Sequence, residues 1–198
     1  MANVALSLAI LAGGHSQRFG EDKALAQLGG RPLLAHVLER TAGLAVETFI
    51  VTNQPAAYAQ FHRRLVGDLL PGSGVLGGLY TALHYAAQPW LLALACDMPL
   101  ANRALLEYML TLTGGVEAVV PNLGGRPEPL HALWSQACLA PAREALARGD
   151  RRVVSFFPQV RVHYITEAEI DVIDPEHLSF LNINTTDQLE EVSKRLQM

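Results

Sequence analysis

An α/β fold, with a mainly parallel sheet covered by helices on both faces, is what this sequence predicts, and three observations predict it. Apolar runs of strand length recur through the first 121 residues. Amphipathic segments of helix length separate them. At 198 residues, with 50% hydrophobic and 17% charged side chains, the chain suits one well-cored domain. Such alternation builds βαβ units, and right-handed crossovers place their helices on the two faces of the sheet as a three-layer α/β/α sandwich.

In order along the chain, residues 4–11 read as a buried strand, because the run is almost wholly apolar. Residues 32–41 read as a helix opening at Pro32. Strands at 47–52, 90–96 and 117–121 alternate with helices at 56–65, 75–87 and 102–112. Beyond residue 122 the pattern loosens. "RPEPLHALW" predicts a turn and a strand. Residues 137–148 predict a helix ended by Gly149, and 151–157 a short helix stopped by Pro158. Residues 160–165 alternate as a strand does. Thr185 with Gln188 three residues on predicts a capping box at the start of the last helix. Nothing in the composition marks a linker, so residues 1–198 are read as one domain.

The net charge of −4 speaks against a broad basic surface of the kind nucleic-acid binding needs. Cys96 and Cys138 stand far apart and form no CxxC pair, which fits a reduced, cytoplasmic protein. The N-terminus lacks the basic region of a signal peptide, and the apolar runs are too short for a bilayer. No nucleic-acid or membrane partner is expected.

Ligands of open α/β sheets sit at the carboxyl ends of the strands. There the first strand leads into "LAGGHSQRFGEDKALAQLGG", residues 11–30. Gly13 and Gly14 let backbone N–H groups approach a phosphate closely, and Ser16 adds a hydroxyl. Arg18 offers a planar fork and Lys23 a mobile point charge. The loop lacks GxxxxGK[ST] and GxGxxG, so it is neither a Walker A loop nor a dinucleotide fingerprint. The same composition also describes a glycine turn followed by a solvated basic loop. In "ACDMPL", Asp97 follows an apolar strand, where a bound cation is the natural partner of a carboxylate. The plainer reading is a turn cap before Pro99. Asp68 precedes a glycine-rich loop, and Asn53 follows the second strand. His131 reads as a core residue. None of the seven histidines shows metal-ligand spacing. Arg126, Arg151 and Arg152 are either surface charge or contacts for a phosphate.

"LAGGxSxRxGxDKAL" at 11–25, the loop at 68–78, "CDMP" at 96–99, "EPLHALW" at 128–134 and "NINT" at 182–185 occur in that order. Together they resemble the molybdenum cofactor guanylyltransferases, the MobA-type members of the nucleotidyltransferase superfamily. The resemblance implies a Rossmann-like domain, with a nucleotide-binding part to about residue 121 and a molybdopterin-binding part after it. It implies transfer of GMP from GTP to Mo-molybdopterin, with Mg²⁺ as cofactor. Leu11, Ala12, Gly13 and Gly14 would line the guanine and ribose side. Arg18 and Lys23 would hold the triphosphate, with Ser16 beside them, and Asn53 and Asp68 would contact the nucleotide. Asp97 would carry the metal, and Asn182 and Asn184 would serve the pterin half. A period of two places those two amides on one side of an extended chain, and a surface turn before a capped helix is the alternative. A molybdoenzyme apoprotein or insertion chaperone is the partner implied. "GVLGG" at 74–78 stands where the family favours a proline-containing run. Three other readings fit less of the sequence: a CTP-dependent cytidylyltransferase, an NAD-binding oxidoreductase, and a non-catalytic nucleotide-binding protein of the same fold.

Overall fold

The computed structural model describes residues 4–12 and 22–196. Strand β1 (Leu6–Leu11) is followed, after residues 13–21, by a small hairpin of β2 (Gln27–Leu28) and β3 (Arg31–Pro32). Its two-residue turn, Gly29 and Gly30, holds both φ angles positive at 57° and 78°. Glycine adopts that conformation without a Cβ penalty. Then come α1 (Leu33–Arg40), β4 (Glu47–Val51), α2 (Pro55–Tyr58), β5 (Arg64–Val66) and α3 (Gly74–Tyr85). The second half supplies β6 (Trp90–Ala95), α4 (Arg103–Thr111), β7 (Ala118–Leu123), β8 (Arg126–Pro127), β9 (His131–Ser135) and α5 (Leu139–Ala147). It ends with β10 (Val162–Ile165), α6 (Glu167–Ile173) and α7 (Thr186–Leu196).

The main sheet runs β10-β7-β9-β6-β1-β4-β5, with β8 paired to β7. β1 is parallel to both β4 and β6, β4 to β5, and β10 to β7. β9 is inserted antiparallel between β6 and β7. The fold is therefore the predicted three-layer arrangement with a mainly parallel sheet.

Strand residues alternate between faces, and the central strands are apolar on both. Leu6, Leu8 and Ile10 of β1 pack with Leu34 and Val37 of α1, Leu105 and Met109 of α4, and Ile170 of α6. Ala9 and Leu11 face the other way, toward Leu76 and Leu79 of α3, Ala142 of α5 and the Phe156–Phe157 pair. A smaller cluster joins Ala26, Leu28 and Leu33 to Leu100, Ile183 and Val192. This third core carries functional weight, because it clamps the segment before α7 onto the turn that bears Lys23.

Ser7 is a polar residue inside β1. Its hydroxyl donates to Glu47 Oε1 at 2.5 Å and accepts from Gln88 N–H at 3.1 Å, so its burial is compensated. Helix α4 starts as its sequence indicates: Asn102 Oδ1 accepts from Ala104 N–H at 2.9 Å.

Three expectations need correction. Residues 56–65 are not one helix. α2 ends at Tyr58, a 3-10 turn covers Ala59–Phe61, His62 takes a left-handed φ of 50°, and the chain enters β5. The edge of β4 needs a partner, and this short strand supplies it. Pro158 does not stop the 151–157 segment but lies inside a 3-10 helix, Val153–Gln159. The capping box before α7 is offset on one arm. Gln188 N–H donates to Thr185 Oγ1 at 3.3 Å, but the Gln188 amide oxygen accepts from Asn184 N–H at 2.7 Å instead of from Thr185.

Trp134 is the largest fully buried side chain, packed 5.6 Å from Phe156 and 5.8 Å from Phe157 between ring centroids. Its indole N–H donates to Pro129 carbonyl at 3.3 Å. Trp134→Ala is expected to cost about 3–5 kcal/mol of unfolding free energy in a urea titration. A loss below about 1 kcal/mol would mean that this side of the sheet is not packed as described.

Candidate active site

Three distant segments meet at the carboxyl end of β1 and β6. The 3-10 turn Lys23–Leu25 follows Asp22, whose carboxylate accepts from Ala24 N–H at 3.2 Å. From that turn Lys23 Nζ reaches Asp97 Oδ2, with which it forms an ion pair, and Asn184 Oδ1 at 2.5 Å. Asp97 follows β6 directly, and Asn184 precedes α7. Lys23 and Asp97 are only 12% and 16% exposed, so solvent screens the pair little. Asp97 also accepts through its main-chain carbonyl, from Ile183 N–H at 3.0 Å. That bond fixes the "NINT" segment against the end of β6.

Leu11 and Ala12 run beside this group. Leu11 carbonyl accepts from Cys96 N–H at 3.2 Å, and Ala12 N–H donates to Val51 carbonyl at 2.9 Å. The first strand thus leaves the sheet between Asp97 on one side and Asn53 on the other. Asn53 and Asp68 are themselves neighbours: Asn53 Oδ1 accepts from Asp68 N–H at 2.9 Å. Asp68 Oδ1 accepts from Leu70 N–H and from the Thr81 hydroxyl, each at 3.0 Å, which ties the glycine-rich loop to α3. At the same edge, a Cβ on Gly78 would stand 2.9 Å from Leu11 Cδ2, so α3 lies close to the end of β1, and a side chain there would have to displace the Leu11 methyl.

Lys23, Asp97 and Asn184 are therefore brought together, with Leu11, Ala12, Asn53 and Asp68 along the same edge. Asn182 has a different environment from Asn184. Its amide donates to Phe180 carbonyl at 3.3 Å, while the Asn184 amide donates to Asn182 carbonyl at 3.4 Å. Gly13, Gly14, Ser16 and Arg18 lie outside the described residues. Arg151 donates to Gly72 carbonyl and so braces the glycine-rich loop, while Arg126 and Arg152 are exposed.

Sequence reasoning missed two contributors. Tyr58 is buried, and its hydroxyl lies 2.7 and 2.8 Å from the Asp22 carboxylate oxygens and 3.3 Å from Ala12 carbonyl. Burial first, and then the bond to Asp22, push its phenol far above the usual range, so it stays protonated and donates. Asp22 stands in the quoted "GxDK" motif and could have been singled out, whereas Tyr58 carries no sequence signal. The second is Glu128, half-buried near Asp97. Burial, followed by the charge of Asp97, raises its carboxyl above the ordinary value.

The donors at this edge suit a hard cation. Oδ1 of Asp97 is buried and has no partner among the described residues. Burial, ahead of the Asp97 charge, pushes the neighbouring Cys96 thiol far up, which keeps it from acting as a thiolate ligand. His131 is fully buried against Phe180, and its imidazole is pushed down to about 4 by burial, so it is neutral and enclosed. Carboxylate and amide oxygens with room for phosphate oxygens are what magnesium-like ions take.

The family model of the MobA-like NTP transferase domain matches residues 8–163. A molybdenum cofactor guanylyltransferase from Desulfosudis oleivorans is 33% identical over 193 residues, covering 95% of this chain and 94% of that protein. Another, from Syntrophotalea carbinolica, is 32% identical over 93% of this chain and 89% of its own length. The crystal structure of molybdopterin-guanine dinucleotide biosynthesis protein A from Archaeoglobus fulgidus superposes with a TM-score of 0.84 at 26% identity, covering 96% of this chain and 98% of that one. Matched in sequence and in fold over nearly its whole length, the chain belongs to the molybdenum cofactor guanylyltransferases of the MobA-like NTP transferase family, and it is a nucleotidyltransferase.

Proposed function

We propose that the protein transfers GMP from GTP to the terminal phosphate of Mo-molybdopterin, releasing pyrophosphate, and that the edge bearing Lys23 and Asp97 is where transfer occurs. The convergence of Lys23, Asp97 and Asn184 from positions 74 and 161 residues apart is the observation that carries this reading.

The nucleophile is a phosphate oxygen, already anionic near neutral pH, so it needs no strong general base. It forms a bond to the α-phosphorus of GTP while the bond from that phosphorus to the bridging oxygen breaks, and the electron pair leaves with pyrophosphate. The main barrier is repulsion between two polyanions. A pair of unit charges about 4 Å apart repel by about 1 kcal/mol in water and about 4 kcal/mol at an effective dielectric near 20. Catalysis is then charge neutralisation and in-line alignment. Lys23, on its flexible stem, leaves Asp97 and turns to the phosphates, and Arg18 supplies a fork to their oxygens. Asp97 would hold Mg²⁺, whose chemistry there is to neutralise phosphate charge. Leu11 and Ala12 line the base and ribose side. Asn53 and Asp68 hold the rim of the nucleotide pocket, and Asn184 faces the acceptor side.

Pyrophosphate release with Mo-molybdopterin, Mg²⁺ and either GTP or CTP tests the reading. GTP is expected to be preferred by about a hundredfold or more in kcat/KM, roughly 2.7 kcal/mol of discrimination. A preference for CTP would move the protein to cytidylyl transfer, and no turnover with any nucleotide would remove the catalytic reading.

A further inference from the structure

The turn that carries Glu128 meets the end of β6 at the same edge. Ala95 N–H donates to Leu130 carbonyl at 3.0 Å, the last bond before the two chains part. Asp97 lies two residues past that bond on one chain, and Glu128 two residues before it on the other. The Glu128 backbone is held on both sides: its N–H donates to Pro121 carbonyl at 2.9 Å, and its carbonyl accepts from His131 N–H at 3.1 Å. The residue is therefore fixed in place, half-buried, within reach of the Asp97 charge.

Among the described residues, the Glu128 carboxylate makes no hydrogen bond and no ion pair. Two carboxylates partly withdrawn from water and set near one another repel. Lys23 answers one of them, Asp97, and shares its ammonium with Asn184. Among the described residues the second negative charge has no counterion, and Oδ1 of Asp97 has no partner. A magnesium-like ion takes one or two carboxylates together with phosphate oxygens and water.

We propose that Glu128 is a second carboxylate of the divalent-cation site, acting with Asp97 on the ion that accompanies the nucleotide. This rests on the reading of Asp97 as the first carboxylate. It gives Glu128 a task beyond the turn it occupies: to raise the affinity of the site for a doubly charged ion over the singly charged ammonium that pairs with Asp97 otherwise.

Mn²⁺ is a suitable probe, because the paramagnetic resonance signal of the free ion reports binding without any turnover. The full-length protein with GTP is titrated as wild type, Glu128→Gln and Asp97→Asn. Glu128→Gln is expected to weaken Mn²⁺ binding about tenfold or more, and Asp97→Asn by a larger factor. Binding of GTP without metal should stay within about twofold in Glu128→Gln, and its thermal midpoint should be no lower than wild type, because one of two repelling charges has gone. Glu128→Asp should recover part of the affinity, which a purely structural role would not predict. Glu128→Ala provides a second variant with the same expected loss. Wild-type Mn²⁺ affinity in the Glu128 variants with loss in Asp97→Asn would overturn the role of Glu128 alone. Wild-type affinity in all of them would overturn it together with the reading of Asp97.

Discussion

Asp97→Ala is expected to lower the rate of nucleotidyl transfer by about a thousandfold or more, equivalent to about 4 kcal/mol of transition-state stabilisation, while the protein still folds. The two halves of that expectation have separate causes. The side chain is where the positive charges of the site are organised. It pairs with Lys23, and its buried Oδ1 has no partner among the described residues. Without it, a divalent ion bound as proposed would lose its principal protein donor, and among the described residues Lys23 would keep only Asn184 as a partner. The fold, by contrast, uses the main chain of this residue. The bond from Ile183 N–H to Asp97 carbonyl does not depend on the side chain, and neither does the third core, which holds the same segment through Leu100 and Ile183. Removing the carboxylate also relieves its repulsion with Glu128. The thermal midpoint should therefore shift by no more than a few degrees, about 1 kcal/mol for a chain of this size. Pyrophosphate release and a thermal melt on the same preparation check both halves. A near wild-type rate would show that Asp97 is not the centre of the site, and a collapse of the melt would make its role structural.

The strands of this fold were legible because their environment is simple. "LSLAIL" and "WLLALA" are buried on both faces, so "WLLALA" reads as an unbroken apolar run and "LSLAIL" as one interrupted only by Ser7. The helices α1, α3 and α4 were legible from their amphipathic spacing, and the start of α4 from Asn102. What failed was short. β5 has three residues, too few to show a period, and its identity depends on the exposed edge of β4 beside it. The segment 56–65 has helical composition, and the tertiary need for an edge strand overrode it. The offset of the cap before α7 follows from a similar competition, since Asn184 N–H offers Gln188 an acceptor-seeking donor one residue earlier.

At the site, the motif marked the residue types but not their meeting. Lys23, Asp97 and Asn184 each stand out in the chain, yet nothing local says that the segment before α7 returns to the turn after residue 22. That return depends on Ala26, Leu28, Leu100 and Ile183 sharing one small core. Tyr58 was invisible, and Glu128 stood in the quoted "EPLHALW" without a role, for a deeper reason. A tyrosine in a short helix and a glutamate before a proline are ordinary until a carboxylate is placed beside them. The proximity of Tyr58 to Asp22, and of Glu128 to Asp97, is a property of the sheet order, with β4 and β5 on one side of β1 and β9 next to β6 on the other.

Lys23→Ala is expected to change two bindings in opposite directions. The ammonium now rests on Asp97 and Asn184, where it cancels one carboxylate. In the nucleotide-free protein it therefore competes with any divalent ion for Asp97, and the alanine variant should bind Mn²⁺ more tightly than wild type. In the proposed reaction the same ammonium serves the phosphates once GTP is present. A charge-assisted hydrogen bond contributes about 1.5–3 kcal/mol, so its loss should raise the KM for GTP about tenfold to a hundredfold. It should lower kcat as well, because charge develops on the leaving pyrophosphate. Lys23→Arg should restore little. A planar guanidinium cannot take the place of a compact ammonium held between Asp97 and Asn184 at 12% exposure. Titration of nucleotide-free protein with Mn²⁺, alongside steady-state kinetics, separates the two effects. Tighter metal binding with weaker GTP use is the signature of a lysine that keeps the metal position neutral until nucleotide arrives. If metal binding weakens together with GTP use, Lys23 supports the site in place and does not exchange partners. If neither changes, the ion pair with Asp97 has no part in catalysis.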